Sequence, residues 1–377
     1  MDFKNFMSKT PLLPSGCYDV LPPMARLESS ISTILLAVFE AYGYEQVSPP
    51  LLEYSDNLLA GRGERLSGQM FRVMDPTAHR VLGIRPDITL QIARIAGTLL
   101  KDSPRPLRLS YNGLILRLQG EQLKADRQLR QAGIELIGAS SPEADAEVIL
   151  VAAASLQKLG INIFSIDLNL PSITAALVAT DALSAEQVRT LYEALSHKDI
   201  TTLRTLPLTY KDALIALVGL AGEAESKLAA IERLDLPTSA KMLVNNLRDV
   251  VRILQKQKHA SWSLTIDAAE SQGYGYHSGV GFSIFVPNVA YEVGRGGRYN
   301  IGDETATGFT LYVESLRALV ITPTLPPRVL VVNSDVQALQ DKGYTTIQAL
   351  PAFGSAYEQA KKLDCAFLCE NDELKKI

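Results

Sequence analysis

The sequence is poor in the residues that mark disulfide-rich and metal-binding proteins. It holds three cysteines and four histidines among 377 residues. Cys17 lies far along the chain from Cys365 and Cys369, and such scattered thiols do not form a disulfide framework. No histidine or further cysteine stands beside Cys365 and Cys369 to complete a metal site. We therefore assign the chain no metal and no cofactor.

Long apolar runs and a strong net charge are also missing. The longest apolar stretch, near residues 148–156, is too short to cross a bilayer, and the start has no apolar core of signal-peptide length. Lys and Arg number 37 and Asp and Glu 41, which gives a net charge of −4. This balance disfavours a broad nucleic-acid surface. We expect a cytoplasmic protein without a membrane partner.

Hydrophobic spacing predicts a chain of mixed helices and strands. Helices are predicted over residues 24–42, 86–100, 141–160 and 355–363. Strands are predicted over residues 45–47, 51–54, 114–119, 127–137, 161–170, 264–267, 281–286, 290–293, 328–333, 345–350 and 365–369. The polar residues 120–126 join two of these strands as a hairpin loop.

The helical signal is continuous over residues 172–262, which are rich in Ala and Leu and show no strand signal. Since the strand pattern resumes afterwards, we interpret this stretch as an inserted helical subdomain of a core over residues 1–320. A proline-rich linker follows near residue 322. Residues 328–377 are then predicted to form a short α/β domain.

Four segments combine acids, arginines, tyrosines and glycines. They are Arg85-Pro-Asp-Ile-Thr89, the hairpin with Arg117, Arg127, Gln131 and Glu135, Gly273-Tyr-Gly-Tyr-His-Ser-Gly279, and Gly294-Arg-Gly-Gly-Arg-Tyr-Asn300. Carboxylates suit the ammonium of an amino acid and cations suit its carboxylate, while glycines allow close backbone approach. Taken singly, each segment is more often a turn, a loop or a structural contact.

The order of these segments resembles the histidyl-tRNA synthetases, a family of class II aminoacyl-tRNA synthetases, from about residue 10 to residue 318. Residues 44–53 resemble motif 1, which forms the dimer in that family. Residues 84–89 resemble the loop that holds the substrate amino group, residues 116–131 motif 2, and residues 308–316 motif 3. Residues 273–279 and 295–300 resemble the two histidine-specific motifs. The resemblance implies an α+β fold with a six-stranded antiparallel sheet flanked by helices.

Several positions depart from that family where ATP would be bound. Motif 3 has Ser315 in place of an arginine and Tyr312 in place of a glycine. Gln119 replaces a motif 2 glutamate, while Gln272 and Gly275 replace an arginine and an aspartate. A serine hydroxyl has one donor and no charge, so it does not replace a guanidinium. The departures predict a scaffold without the adenylation reaction, and we assign no catalytic residue.

In contrast to the ATP-binding positions, the residues that form the amino-acid pocket in that family are mostly retained in this sequence. The resemblance makes the following residues candidates for binding histidine: Asp87, Thr89, Arg117, Gln131, Glu135, Tyr276 and His277. A lone histidine such as His277 is more often a hydrogen-bonded structural residue than a functional one.

A chain with a lost ATP site and a retained amino-acid pocket resembles the ATP phosphoribosyltransferase regulatory subunits. The members of this family are synthetase paralogues that work in histidine biosynthesis. The tail fits this family as a shortened anticodon-binding domain, with one helix missing between residues 333 and 345. The resemblance implies a hetero-oligomer with a short catalytic subunit, a self-dimer through the motif 1 surface, and feedback inhibition by histidine. Histidine would bind either in this pocket or at a subunit interface.

Two other functions stay open on the sequence alone. A working or repurposed adenylating enzyme is favoured by Arg117, Arg127 and the intact glycine motif, and opposed by Gln272, Ser315 and the short tail. A tRNA-binding factor without catalysis would need a basic face on residues 328–377, which the sequence does not show, so tRNA is not the expected partner.

Overall fold

The computed structural model describes residues 12–59, 67–120, 124–257, 261–270, 277–321 and 324–377. The chain divides into two compact units, Met1–Val320 and Ile321–Ile377. Among the helices within those ranges, none has the length and apolar character needed to span a membrane.

A nine-stranded sheet forms the centre of the larger unit. Its strands lie in the order β1-β5-β6-β12-β11-β10-β7-β9-β8. They are β1 (Glu45–Gln46), β5 (Leu107–Leu116), β6 (Gln128–Ile137), β7 (Phe164–Asn169), β8 (Ala221–Glu223), β9 (Trp262–Asp267), β10 (His277–Phe285), β11 (Gly294–Ile301) and β12 (Glu304–Tyr312). Six strands pair with one another in antiparallel fashion, as predicted: β5, β6, β12, β11, β10 and β7. Beyond them, β1 and β9 each join in parallel, and β8 completes one edge.

Two further strands, β2 (Leu52–Tyr54) and β3 (Phe71–Met74), pair on either side of β4 (Val81–Ile84) in a separate small sheet. The helices of the larger unit are α1 (Met24–Ala41), α2 (Ser55–Leu59), α3 (Thr89–Gly97), α4 (Pro142–Lys158), α5 (Ile173–Leu177), α6 (Ala185–Ser196), α7 (Ile200–Thr205), α8 (Lys211–Gly219), α9 (Ala224–Ile231), α10 (Thr238–Gln257) and α11 (Val313–Arg317).

Helix α1 shows why the sequence folds as it does. Leu27, Ile31 and Leu35 recur every four residues and are buried, so they form one apolar face of the helix. Gly43 follows with φ +81°, a left-handed conformation that glycine adopts at little cost and that ends the helix. The apolar faces of α1, α4 and α10 share one hydrophobic core with one face of the sheet.

Several predicted elements differ from the structure. Strand β5 begins at Leu107 rather than residue 114, because the polar side chains Ser110 and Asn112 hid its pattern. The predicted strand over residues 290–293 is wrong, because these residues form no strand, and the glycine-rich stretch after them is strand β11. The helical stretch contains the short strand β8, which has only three residues to signal it. Ser141 precedes α4, but its side chain does not cap the helix.

The smaller unit has a four-stranded sheet in the order β14-β13-β15-β16. Its elements are β13 (Arg328–Val332), α12 (Val336–Asp341), β14 (Thr345–Gln348), α13 (Ala356–Lys362), β15 (Phe367–Glu370) and β16 (Glu373–Lys376), with a 3₁₀ turn at Pro351–Phe353. The expectation of a missing helix between residues 333 and 345 is wrong: Asp335 caps α12 by accepting a bond from the Ala338 amide. The helix was overlooked because it is only six residues long. Cys365 precedes β15 rather than belonging to it, and β16 was not predicted.

A buried ion pair joins the sheet to the helical layer. The Arg298 guanidinium on β11 lies 2.8 Å from the Asp145 carboxylate in the first turn of α4 and donates to the Ser141 carbonyl at 2.7 Å. Asn246 on α10 donates to the same carboxylate at 3.3 Å. Burial raises the pKa of Asp145, and the charge of Arg298 opposes that rise. Arg298 therefore has a structural role, although sequence analysis placed it in a ligand-binding motif.

We expect Arg298→Met to destabilise the larger unit by about 3–5 kcal/mol, because Asp145 would remain as a buried charge without a partner. The raised pKa means that protonation favours the folded state, and loss of Arg298 strengthens this preference. The deficit should be largest at pH 7 and shrink as the pH falls into the mildly acidic range. Urea unfolding at several pH values measures this.

The matched control is Arg189→Met on α6. Arg189 is 70% exposed and lies 4.0 Å from Glu193, so its removal should cost about 0.5 kcal/mol or less. Equal losses in the two variants would show that the Arg298–Asp145 pair carries no special stability.

Candidate functional site

Successive side chains of a strand point to opposite sides, so the sheet has two different faces. On one side, Ile134, Leu136 and Phe309 belong to the core shared with α1 and α4. The opposite side carries Gln131 and Glu135 from β6, and the residues paired with them, and we call it the polar face. A cross-strand row on this face runs through Glu135, Gly308, Gly297, Gly281 and Asn169.

Gln131 ties the loop before α3 to the polar face. Its side-chain amide donates to the Asp87 carboxylate at 2.8 Å, and its carbonyl accepts the Ile88 amide at 3.0 Å. The other Asp87 oxygen accepts the Thr89 amide at 2.9 Å. Gln131 is fully buried and Thr89 nearly so. The structure thus brings Asp87, Thr89 and Gln131 together.

Glu135 is a buried carboxylate on the polar face, only 1% exposed. The Tyr299 hydroxyl on β11 donates to it at 2.8 Å. The carboxylate lies directly over Gly308, where an added Cβ would be 1.9 Å from its oxygen. Glycine at position 308 is therefore required for Glu135 to adopt this position, because any side chain there would displace the acid.

Tyr111 is a buried phenol that feels the charges of both acids, and sequence analysis did not single it out. Its hydroxyl lies 2.6 Å from the Thr310 hydroxyl, with no exposed surface. Burial raises the pKa of Tyr111 well above its ordinary value, and the negative charges of Glu135 and Asp87 add to this effect. The phenol therefore stays protonated and forms a hydrogen bond with the Thr310 hydroxyl.

His277 begins β10 opposite Tyr299 and is 6% exposed. A Cβ at Gly297 would lie 2.6 Å from its imidazole ring, so the second glycine of the row makes room for it. The remaining candidate, Tyr276, lies outside the described residues, as do the departures Gln272 and Gly275.

Arg117 follows β5 and belongs to a different contact group. It donates to the Tyr312 hydroxyl at 3.2 Å. Lys124 donates to the Ser315 hydroxyl at 2.7 Å, and its ammonium lies 5.4 Å from the Tyr291 ring centre and 5.5 Å from that of Tyr312. These distances allow cation–π attraction. We call Arg117, Lys124, Tyr291, Tyr312 and Ser315 the lysine cluster.

The lysine cluster leaves little free space. A cavity lined by Arg117, Lys124, Leu129, Tyr291 and Tyr312, together with two acids, measures about 10 Å³, which is room for about one water molecule. Next to Ser315, Glu314 accepts the Arg130 amide at 2.6 Å. Burial raises the pKa of Glu314 to about 6. This group is therefore close-packed in the described conformation.

Two arginines that sequence analysis had associated with ligand binding hold backbone instead. Arg85 donates to the Leu114 carbonyl at 2.7 Å and to the Pro49 carbonyl at 2.8 Å. Arg127 donates to the carbonyls of Arg117 and Ser15. Both arginines donate to backbone carbonyl groups that the hydrogen bonds of strands and turns leave without a partner.

Sequence analysis did not single out Tyr111, Thr310, Lys124 and Tyr291, and it included Tyr299 only as part of the candidate segment over residues 294–300. Tyr111 could have been found from the alternation of β5, had that strand been placed correctly, because Tyr111 pairs with Gly133. Lys124 and Tyr291 are far apart in the chain and meet only in the folded structure, so no local pattern identified them.

Comparisons with known proteins show which family the chain is similar to. The family model described as histidyl-tRNA synthetase matches residues 16–316. A protein of Paramagnetospirillum magneticum named ATP phosphoribosyltransferase regulatory subunit is 41% identical over 359 residues, covering 94% of each chain. Its namesake from Rhodospirillum centenum is 38% identical over 372 residues, covering 97% of this chain and 96% of the relative.

Solved structures agree on the fold. A Bacillus halodurans protein titled ATP phosphoribosyltransferase regulatory subunit/histidyl-tRNA synthetase superposes with a TM-score of 0.81 at 22% identity, covering 94% of this chain and 97% of that one. Histidyl-tRNA synthetase from Nostoc gives 0.76 at 19% identity, covering 96% and 91%. With a class II synthetase fold and these close relatives, the chain belongs to the family of ATP phosphoribosyltransferase regulatory subunits.

Proposed function

We propose that this chain is a non-catalytic subunit that binds the short form of the ATP phosphoribosyltransferase catalytic subunit, activates it and makes it sensitive to histidine. The observation that carries the proposal is a contrast between two sets of residues. Asp87 is held by Gln131 and Glu135 by Tyr299, and we call these two ordered acids with their donors the acidic network. The lysine cluster, in contrast, fills the region where the synthetase resemblance places ATP.

The acidic network suits an amino acid with an imidazole side chain. Asp87 offers a carboxylate to an ammonium, and Glu135 offers one to an imidazole N–H. Both acids are already oriented by neighbouring donors, so little rearrangement is needed on binding. Thr89, Arg117, Tyr276 and His277 complete the proposed set of histidine-binding residues. Arg117 supplies the cation for the ligand carboxylate in this proposal.

The lysine cluster supports the absence of adenylation. Ser315 receives the Lys124 ammonium as a hydrogen-bond partner, so the chain supplies its own cation where a synthetase arginine would meet the nucleotide. Tyr312 packs against Arg117 and Lys124 where the synthetases have glycine. A self-dimer through residues 44–53 is part of the proposal, as the synthetase resemblance implies.

The first test is isothermal titration calorimetry with L-histidine. We expect Asp87→Asn and Glu135→Gln each to weaken binding about tenfold or more, because each removes one charge-assisted hydrogen bond while keeping the side-chain shape. Glu40→Gln, an exposed acid on α1, is the matched control and should bind like the parent protein. Unchanged heats in both site variants would exclude this pocket.

The second test is ATP–pyrophosphate exchange with histidine. We expect no exchange above background, because the lysine cluster occupies the nucleotide region and lacks the motif 3 arginine. A histidyl-tRNA synthetase assayed in parallel provides the positive control. Measurable turnover by this chain would contradict a non-catalytic role and favour an adenylating enzyme.

The third test combines the chain with a short-form ATP phosphoribosyltransferase. We expect the two to co-elute in size-exclusion chromatography, the transferase to become more active, and histidine to inhibit only the complex. Because allosteric inhibition requires unequal binding of histidine to two states, Glu135→Gln should keep the complex and lose the inhibition.

Failure to co-elute would reject the proposed partnership. If Glu135→Gln kept full inhibition, the histidine site would have to lie elsewhere, for example at a subunit interface.

A further inference from the structure

Among the described residues, the far end of the polar face contains two buried oxygens without a hydrogen-bond partner. Asn169 ends β7 and Asp267 ends β9, and they are 2% and 8% exposed. In the part of the chain that the structure describes, neither Asn169 Oδ1 nor Asp267 Oδ1 meets a donor. Buried polar atoms nearly always have partners, so two orphans on neighbouring strands require an explanation.

The strand register places these two side chains next to each other. Strands β7 and β9 are parallel, with Asp167 opposite Thr265 and Leu168 opposite Ile266. Asn169 and Asp267 follow at the next position, and paired positions of neighbouring strands face the same side. We call the two oxygens the acceptor pair. Both belong to the polar face, since Asn169 is opposite Gly281 in the glycine row.

The surroundings of the acceptor pair are negatively charged. Asp167, Asp267 and Glu270 interact electrostatically here, and burial, with the charges of the other two acids, raises the pKa of Asp167. Lys198 donates to Asp267 Oδ2 at 2.6 Å and neutralises one charge, while its own side chain is 49% exposed. Asp167 and Asp267 with the one ammonium of Lys198 leave an excess of negative charge beside the acceptor pair.

The chemistry of the site restricts its ligand. Carboxylate and amide oxygens accept hydrogen bonds, so the ligand must donate them. The described ranges contain no group of three His, Cys, Asp or Glu residues placed to hold a metal ion. An organic cation with N–H groups satisfies both the charge and the two oxygens.

We propose that Asn169 and Asp267 bind a small organic cation carrying N–H donors, such as a primary ammonium group, at a second site on the polar face. Asn169 and Glu135 occupy the two ends of the glycine row, four strands apart, which is roughly 19 Å at the usual strand spacing. One amino acid is too short to reach both. The second site therefore does not depend on histidine binding beside Glu135.

The test is calorimetry of the full chain with ethylammonium, which carries a primary ammonium group but neither the carboxylate nor the imidazole of histidine. We expect Asn169→Leu and Asp267→Asn to weaken ethylammonium binding about tenfold or more, since each removes an acceptor or a charge. Glu40→Gln, at an exposed acid on α1, is the matched control and should leave this binding unchanged. Tetramethylammonium has the same charge without N–H donors and should not bind.

A second measurement separates ligand binding from a structural role. Replacing Asn169, whose buried amide oxygen meets no donor among the described residues, by an apolar side chain of similar size removes an unmet acceptor. Asn169→Leu should therefore keep or raise the thermal midpoint of the ligand-free protein. A lower midpoint would show that the amide has structural partners and would overturn the proposal.

Three further outcomes would also overturn it. The first is no ethylammonium binding by the parent protein. The second is equal binding of tetramethylammonium. The third is displacement of ethylammonium by potassium but not by sodium at the same ionic strength, which would identify a monovalent metal site.

Discussion

The two-residue period of a β-strand is the constraint on which this molecule depends. In each strand of the six-stranded antiparallel sheet, one set of alternate side chains packs against the apolar helices, and the other set points to the polar face. Strand β6 shows this directly: Ile134 and Leu136 enter the core, while Gln131 and Glu135 face away from it. A shift of one residue in register would bury the acids among the helices and expose the core residues.

Glycines leave the polar face enough space for large polar side chains. Gly308 allows Glu135 to lie across the sheet, and Gly297, with φ +150°, gives the His277 ring its space. Both positions lie within strands, where glycine usually weakens the structure. Glycine is needed here because only a backbone without side chains lets large polar side chains lie flat on the sheet. These two glycines therefore lower the local stability of their strands while they determine the shape of the polar face.

Much of this architecture follows from local patterns, and the exceptions have physical causes. Helix α1 was predicted from the four-residue spacing of Leu27, Ile31 and Leu35, which depends on no other part of the chain. Strand β11 was missed because its glycines suggested a loop, and only pairing with β10 and β12 makes it a strand. Tertiary pairing outweighed local preference there. The motif resemblance singled out Asp87, Gln131 and Glu135 and also the segment that contains Arg298, but Arg298 forms a buried ion pair with Asp145 instead.

The contact between Lys124 and Ser315 limits which side chains position 315 can hold. An arginine there would place a guanidinium beside an ammonium that already lies near two tyrosine rings. Like charges at such short range repel, so Ser315→Arg alone would weaken the packing of the lysine cluster. A cation at position 315 would therefore require a compensating change at Lys124.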